Sequence, residues 1–320
     1  MDNVFPLVSV VFTSYNHKEY LKQALDSLLN QTYHNIEIII IDDCSTDGSH
    51  EILMDYAHYD KINLKIQTKN SGSYVKASNL GATFAKGEYL LFAQCDDFSE
   101  KDQIEKLVNA FKSNSDIGVA FSKSNLVDKN GVKLSEDFTF RERRFKQSAK
   151  NGLITGDKIG SFLSFSCVIP NLSAALIKRD LFESINGLSD SYLVVADWNL
   201  WLELSKRTNF YFINESLNNF RQHSTTIRSS IKMKTQIEEI FHMFYNFMDD
   251  SNLTNSERKV YKTGAGSIWF NYFLENKSLW IKNLWSNYIL IKKYERFPFF
   301  YLGMGIKKHI IELVYRKIGK

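Results

Sequence analysis

IEIIIIDDCSTDGS, residues Ile36 to Ser49, decides how the rest of the chain is read. Its branched aliphatic run lacks polar alternation, which suits a strand covered on both faces at the centre of a parallel sheet. The run stops abruptly at Asp42 and Asp43. In open α/β sheets ligands gather at the carboxyl ends of the strands, so two acids placed there are candidates for nucleotide or metal contacts. The plainer alternative is an Asx-type turn, with Asp47 capping the next helix.

Working outward, Leu7 to Thr13 (LVSVVFT) reads as a buried strand, with Ser14, Tyr15 and Asn16 as the turn at its carboxyl end. HKEYLKQALDSLLNQ then places Leu21, Ala24, Leu25, Leu28 and Leu29 on one helical face. Together with Ile36 to Ile41 these segments make a βαβ unit, whose crossover is expected to be right-handed. Asp47 starts a helix through Ile52, Leu53 and Tyr56, Leu64 to Gln67 is a short strand, and Lys76 to Ala85 is a helix ended by Lys86-Gly87. Tyr89 to Ala93 is a fourth strand. The alternation predicts a doubly wound, Rossmann-like α/β domain with a mostly parallel sheet.

That fourth strand runs into Gln94-Cys95-Asp96-Asp97, so two strands end in paired acids at one sheet edge. A diphosphate is densely negative, and carboxylates sit beside it only with a divalent cation between them, Mg²⁺ or Mn²⁺ on oxygen ligands. Such a cation neutralises a phosphate leaving group. The competing use of Asp96 and Asp97 is capping of the amphipathic helix carrying Gln103, Ile104, Leu107, Val108 and Phe111. Ser99, with Lys101 and Asp102 in the first turn, is the better expected cap, which leaves the pair for chemistry.

Composition excludes several classes. The chain has 320 residues, 44% of them hydrophobic, enough for a large core. Three prolines and fifteen glycines argue against long disordered linkers. Cys44, Cys95 and Cys167 are widely spaced with no CxxC pair, so neither a zinc site nor a disulfide framework is expected, and a reducing compartment fits. The N-terminus lacks a basic region and reads as a first strand rather than a signal peptide. No apolar run reaches the roughly 18 residues of a membrane span. Between Lys277 and Lys320 ten Lys or Arg face two Glu, a balance of +8, which leaves −4 for residues 1–276 out of the total of +4.

The segments VSVVFTSYNHKEYLKQALDSLLNQTYHNIEIIIIDDCSTDGS and NLGATFAKGEYLLFAQCDD resemble the donor half of a family 2 glycosyltransferase of the GT-A fold. The resemblance runs from about Leu7 to His223. It implies that Thr13, Tyr15, Asn16 and Asp43 hold the base of a nucleotide, with Asp42 beside them, and that the Asp-X-Asp-like motif puts Asp96 and Asp97 on ribose and metal. The motif's usual first acid is Gln94 here. Gln is a poorer ligand for a hard cation than a carboxylate, so the expectation is that the metal rests mainly on Asp97, with Asp96 on ribose or a metal-bound water.

Ile117 to Ser122 is a further buried strand, closing a donor half of about residues 1–125. The polar segment Asp128 to Gly156, with RERRF at Arg141 to Phe145, reads as a solvated loop, or as a segment that closes over donor or acceptor. PNLSAALI (Pro170 to Ile177) leads into KRDLFESINGLSDSYLVVADWNLWLEL, which resembles the acceptor half of the same family, about residues 126–228. There an acid directly before an aromatic at a helix start is the general base, and the matching residue is Asp197. The family's preceding acid is replaced by Ala196. A helix N-terminus also favours the ionised carboxylate that a base requires. Phe220-Arg221-Gln222-His223 resembles a later motif whose histidine approaches diphosphate or metal, although a lone His also serves structural roles. Arg221 is expected to pair with phosphate or with an acid.

Residues 229–320 read as a separate helical, aromatic-rich region. Its basic end, 277–320, suits either the headgroup region of an anionic leaflet or packing on the catalytic domain or a second copy in a homodimer. No nucleic-acid recognition motif is present in the sequence. The resemblance implies an inverting transferase that uses Mn²⁺ or Mg²⁺ and a nucleotide-sugar donor, a UDP-sugar first and a dTDP-sugar second. The acceptor is then a glycan or lipid-linked glycan in bacterial polysaccharide synthesis, at the cytoplasmic face of the membrane. A non-catalytic donor-binding partner of a glycan assembly complex is the alternative that Gln94 and Ala196 suggest. A nucleotidyltransferase lacks the expected glycine-rich phosphate loop.

Overall fold

A computed structural model of the chain describes residues 5–137, 151–223, 233–249, 252–275, 284–300, 303–307 and 310–311. The basic RERRF stretch and most of the tail beyond Lys307 lie outside the described residues.

The chain divides into two compact units, one of Met1–Ile159 with Ile169–Thr226, the other of Gly160–Val168 with Ile227–Lys320. The first begins β1 (Val8–Ser14), α1 (Lys18–Leu29), β2 (Ile36–Asp42), α2 (Ser49–Tyr56), β3 (Ile62–Ile66), α3 (Tyr74–Ala82) and β4 (Tyr89–Gln94). It continues through β5 (Phe98–Ser99), α4 (Gln103–Ser113), β6 (Ile117–Val127), β7 (Lys133–Glu136) and β8 (Gly152–Ile154). α5 (Gly156–Leu163) leads to β9 (Ala175–Lys178), α6 (Arg179–Ser184), α7 (Ala196–Ser205) and β10 (Asn209–Arg221).

The strands form one ten-stranded sheet in the order β3-β2-β1-β4-β9-β6-β10-β5, with β7 on β6 and β8 on β10. β3, β2, β1 and β4 run parallel. β9 is antiparallel to both neighbours, so β6 and its parallel partner β10 point the same way as β4. The carboxyl ends of β1, β2, β4 and β10 therefore lie along one edge. The α/β class and the mostly parallel sheet expected from the sequence are what the chain adopts.

The unalternating run of β2 has a direct cause. Ile36, Ile38 and Ile40 join the core beneath α1 and α4, while Ile39 and Ile41 pack with Ala77 on the other face. From Ile38 to Ile41 both faces are dry, so all four positions are apolar. α3 approaches closely because Gly81 has no side chain; a Cβ there would lie 2.4 Å from Val11 Cγ1.

Several boundaries differ from expectation. The helix after β2 starts at Ser49, with Gly48 in the left-handed region (φ 95°), and Asp47 accepts from Ser49 N at 3.0 Å. α3 ends at Ala82 rather than Ala85. Ser99 does not cap α4; it pairs with Asn218 in the two-residue β5, and Asp102 occupies the cap position. The long β10 and the short β5, β7 and β8 carry too few alternating apolar positions to be read from sequence.

The second unit contains α8 (Met233–Asp249), α9 (Asn255–Glu275) and α10 (Leu284–Lys292) among the described residues. Phe241, Met243, Phe244, Phe247 and Met248 of α8 are buried. Glu295 is also buried, accepting from Tyr245 Oη at 2.5 Å and lying 2.6 Å from Lys262 Nζ. Gly264 explains why Gly160–Val168 belongs with these helices, since a Cβ there would fall 1.7 Å from Ser164 O. Among the described residues no helix is long and apolar enough to cross a membrane.

Candidate active site

The site forms where the carboxyl ends of β1, β2, β4 and β10 meet. Ser14 stands opposite Asp42 in the β1–β2 register, and Thr13 opposite Gln94 in the β1–β4 register. The parallel ladder thus brings the turn after β1 and both acid pairs to the same level.

The turn after β1 is built by side chains. Asn16 takes φ 52°, a region that Asn tolerates better than other non-glycine residues. Its backbone N donates to Ser45 Oγ, and its Oδ1 accepts from Thr46 N. Asn16 is thereby tied to the loop that follows Asp43. Tyr15 is 44% exposed, which leaves its ring open to stack on a planar ligand. Thr13 is buried and donates from Oγ1 to Gln94 Oε1 at 3.3 Å.

Asp42 is fully buried and accepts from the backbone N and the hydroxyl of Ser45 at 3.1 and 2.6 Å, an Asx turn. The Asp43 carboxylate accepts from Gln67 Nε2, Ser71 N and Ser71 Oγ at 2.7 to 2.8 Å. It pins the loop between β3 and α3 against the end of β2. Gln67, Ser71 and Asn70, whose Nδ2 donates to Asp43 O, were not anticipated from sequence.

The second pair divides. Asp97 is buried; Oδ2 accepts from Asn171 Nδ2 at 2.6 Å and Ser173 Oγ at 2.9 Å, and Oδ1 from Arg221 N at 3.1 Å. Burial raises its pKa well above the ordinary carboxylate range, with the neighbouring Asp96 charge adding to the effect. The antiparallel course of β9 explains its partners, because the start of an antiparallel strand falls at the carboxyl edge of its parallel neighbours. Asn171 and Ser173, just before β9, therefore arrive beneath Asp97. The network continues through Asn218, which donates to Asn171 Oδ1 and Ser124 Oγ.

Asp96 faces the other way. Its Oδ2 lies 3.0 Å from His223 Nε2. His17, Asp96 and His223 offer three donor atoms that all lie within 4.8 Å of one another. His17 and His223 meet edge to face at 5.2 Å, and Tyr20 stacks on His17 and lies tilted against His223. Asp97, expected to carry the metal, is not in this group, because its oxygens already serve the network beneath. The three donors that converge belong to Asp96, His223 and the unanticipated His17. The missed signal was an imidazole directly after the Asn16 turn.

Among the described residues the Arg221 guanidinium makes no direct ion pair with a carboxylate, although the Arg221 backbone N donates to Asp97 Oδ1. Arg221 is buried and donates to Asp96 O, Asp128 O, Lys129 O and Gln23 Oε1, with its guanidinium 4.5 Å over the Tyr20 ring. It is a strut that fixes the backbone of Asp96. Asp197 stands on a different element, half-buried in the first turn of α7, where its Oδ1 accepts from Trp198 N at 2.7 Å. Ala196 beside it is fully buried.

Residues 9–169, half of the chain, match the sequence profile of glycosyl transferase family 2. The chain belongs to this family. Among relatives, the Bacillus subtilis glycosyltransferase TuaG, named for teichuronic acid biosynthesis, is 36% identical over 137 residues, 42% of this chain and 54% of TuaG. An uncharacterised glycosyltransferase of Rickettsia bellii is 27% identical over 80% of this chain, yet that match spans 35% of the relative. The chain therefore spans about a third to a half of the length of these two relatives. S. aureus TarS 1-349 in complex with UDP-GlcNAc superposes with a TM-score of 0.66 at 17% identity, covering 98% of this chain and 92% of TarS. That likeness places the chain in the same GT-A fold as TarS.

Proposed function

We propose that this family 2 chain is an inverting hexosyltransferase that moves a sugar from a nucleoside diphosphate donor to a glycan hydroxyl. The observation that carries the reading is the convergence of Asp96, His223 and His17 at the sheet edge beside the Tyr15–Asn16 turn. UDP-sugars are the favoured donors and dTDP-sugars the second; the UDP-GlcNAc complex of the TarS fold relative supports the first. The acceptor is a glycan or lipid-linked glycan of bacterial surface polysaccharide synthesis, capsule or O-antigen, which the naming of TuaG supports.

In this scheme Tyr15 lies against the base, with Thr13, Asn16 and Asp43 shaping its pocket and Asp42 holding the turn beneath. A divalent cation, Mn²⁺ or Mg²⁺, fits beside the Asp96 carboxylate and the His223 imidazole. Asp96 and His223 would hold it, with Asp97 orienting Asp96 from below. When bound, it supplies positive charge to the departing diphosphate. A mannosyltransferase of Pyrobaculum calidifontis, similar in fold with a TM-score of 0.58, was solved with GDP-Man and Mn²⁺. Asp197 takes the proton of the acceptor hydroxyl as that oxygen attacks the anomeric carbon, at a helix N-terminus where negative charge is favoured.

We assign residues 1–228 to the transferase domain, donor half first, and 229–320 to a helical region whose basic end contacts the inner face of the membrane. Phe297, Phe299 and Phe300 there are each at least 59% exposed beside Arg296, which supports such contact. Gln94, turned to Thr13, and the buried Ala196 favour a second reading, a donor-binding partner without turnover.

The test is release of nucleoside diphosphate from UDP- and dTDP-sugars, with lipid-linked glycan acceptors, for the unmodified chain and Asp197→Asn. Transfer from one donor, reduced ~10²–10⁴-fold in the variant with donor affinity kept, is expected. Nucleotide binding without turnover under every acceptor would establish the second reading.

A further inference from the structure

We infer that His17 is a third metal ligand, standing in for the acid lost at Gln94, and that this makes the site select Co²⁺ and Zn²⁺ over Mg²⁺. The inference rests on the donor-binding reading above and deepens it.

Position 17 is the N-cap of α1, where Ser, Thr, Asp or Asn is preferred because the side chain accepts from a free helix N–H. His17 makes no such bond. Asp47 Oδ2 accepts from Lys18 N at 3.0 Å, so that exposed helix N–H is satisfied from another loop. Capping therefore gives no reason for an imidazole here. What holds the ring points to the site. It stacks on Tyr20 at 6.0 Å, meets His223 edge to face at 5.2 Å, and has Nδ1 3.7 Å from Cys95 Sγ.

Meanwhile the residue at the lost acid's place has turned away. Gln94 Oε1 is bonded to Thr13, and its Nε2 is buried without a hydrogen-bond partner. The amide adds no negative charge and no second hard oxygen. Asp96 is left as the single carboxylate among the three donors.

The spacing suits a cation. Two ligands at right angles on bonds of about 2.1 Å lie ~3.0 Å apart, and Asp96 Oδ2 and His223 Nε2 are separated by 3.0 Å. His17 is within 4.8 Å of both, close enough to join by a small ring movement. Two imidazoles and one carboxylate make a set suited to borderline transition ions. Mg²⁺ binds oxygen ligands and dehydrates reluctantly, so it gains little from imidazole.

The experiment is a Co²⁺ titration followed by visible ligand-field absorption, with Mg²⁺ and Zn²⁺ as competitors and UDP binding measured separately by calorimetry. The chains are the unmodified protein, His17→Gln, His17→Asp and Asp96→Asn, each checked for an unchanged thermal midpoint. The unmodified chain should show Co²⁺ bands that Zn²⁺ displaces and Mg²⁺ does not. His17→Gln should weaken Co²⁺ roughly 10–100-fold, at least as much as loss of an outer-shell partner costs. His17→Asp should shift the preference toward Mg²⁺, a change that a packing role for His17 would not produce. Equal Co²⁺ affinity in His17→Gln, with loss in Asp96→Asn, would overturn the inference while leaving the donor reading intact. A His17-dependent Co²⁺ site in a chain that does not bind UDP would uphold the ligand assignment and sink the donor reading instead.

Discussion

The two acid pairs stand at equivalent places, the carboxyl ends of β2 and β4 on either side of β1, yet the protein uses them differently. At the end of β2 both acids are buried and hold loops, Asp42 its own turn through Ser45 and Asp43 the loop between β3 and α3 through Gln67 and Ser71. At the end of β4 the pair splits: Asp97 is drawn down into a polar network, while Asp96, its side chain 20% exposed, reaches His223. The difference follows from what lies beneath each strand end. Beside β2 the partners are the turn at Ser45 and the loop between β3 and α3. Below β4 the antiparallel β9 delivers Asn171 and Ser173, which satisfy one acid fully and leave its neighbour to the surface. Identical dipeptides on the two strands that flank β1 thus become two loop anchors in one case, and an anchor with a candidate ligand in the other.

The sharpest way to break this contrast is Asp96→Asn, which should lower divalent-ion affinity and metal-dependent nucleoside diphosphate release by roughly 100-fold. Thermal stability should barely change. Unaltered metal binding would return the ligand role to Asp97.

Asp97→Leu should behave oppositely. Three donors lose their acceptor in the interior, and each orphaned buried donor costs about 1–3 kcal/mol. Chemical denaturation should report a loss of about 3 kcal/mol or more. A stable Asp97→Leu chain that fails only in metal binding would contradict the division drawn here.

For the first pair, Asp42→Ala removes both acceptors of the Ser45 turn and should cost about 1 kcal/mol, comparable to loss of a helix cap. Its chief effect should be on nucleotide affinity, through the Ser45–Asn16 contact that holds the first turn.

The smallest effect concerns Asp47. Burial alone would raise its pKa, but hydrogen bonds from the Ser49 hydroxyl and from the Lys18 and Ser49 backbone carry it below the usual value. A lowered carboxylate pKa contributes stability above the unfolded value, about 3.9, that is lost as pH falls through the folded value. The thermal midpoint of the unmodified chain should therefore fall faster below about pH 4 than that of Asp47→Asn.

Much of this arrangement was legible in the residues. The doubly covered β2, the amphipathic α1 and α4, and the arrival of both acid pairs at one edge follow from periodicity and from parallel strand direction. What stayed hidden depends on contacts distant in sequence. Asn171 and Ser173 meet Asp97 across more than seventy residues, and nothing local to PNLSAALI marks β9 as antiparallel or places it mid-sheet. Ser99 looked like a cap because Ser favours caps, but pairing with Asn218 won. His17 was passed over because an imidazole at a helix start carries no periodic signal. Asp197 does stand at a helix start before an aromatic, because that pattern is local.

The antiparallel β9 also constrains the order of folding. As the chain leaves the ribosome, β1 to β4 and their helices can assemble early from contacts between near neighbours. β4 keeps an open edge until residues 175–178 emerge and fill the gap between β4 and β6. A nascent or truncated chain ending before Ala175 presents that unpaired edge in mid-sheet, where another chain can pair with it. Insertion of four residues is therefore the step that seals the sheet, and delay at that step exposes the chain to aggregation.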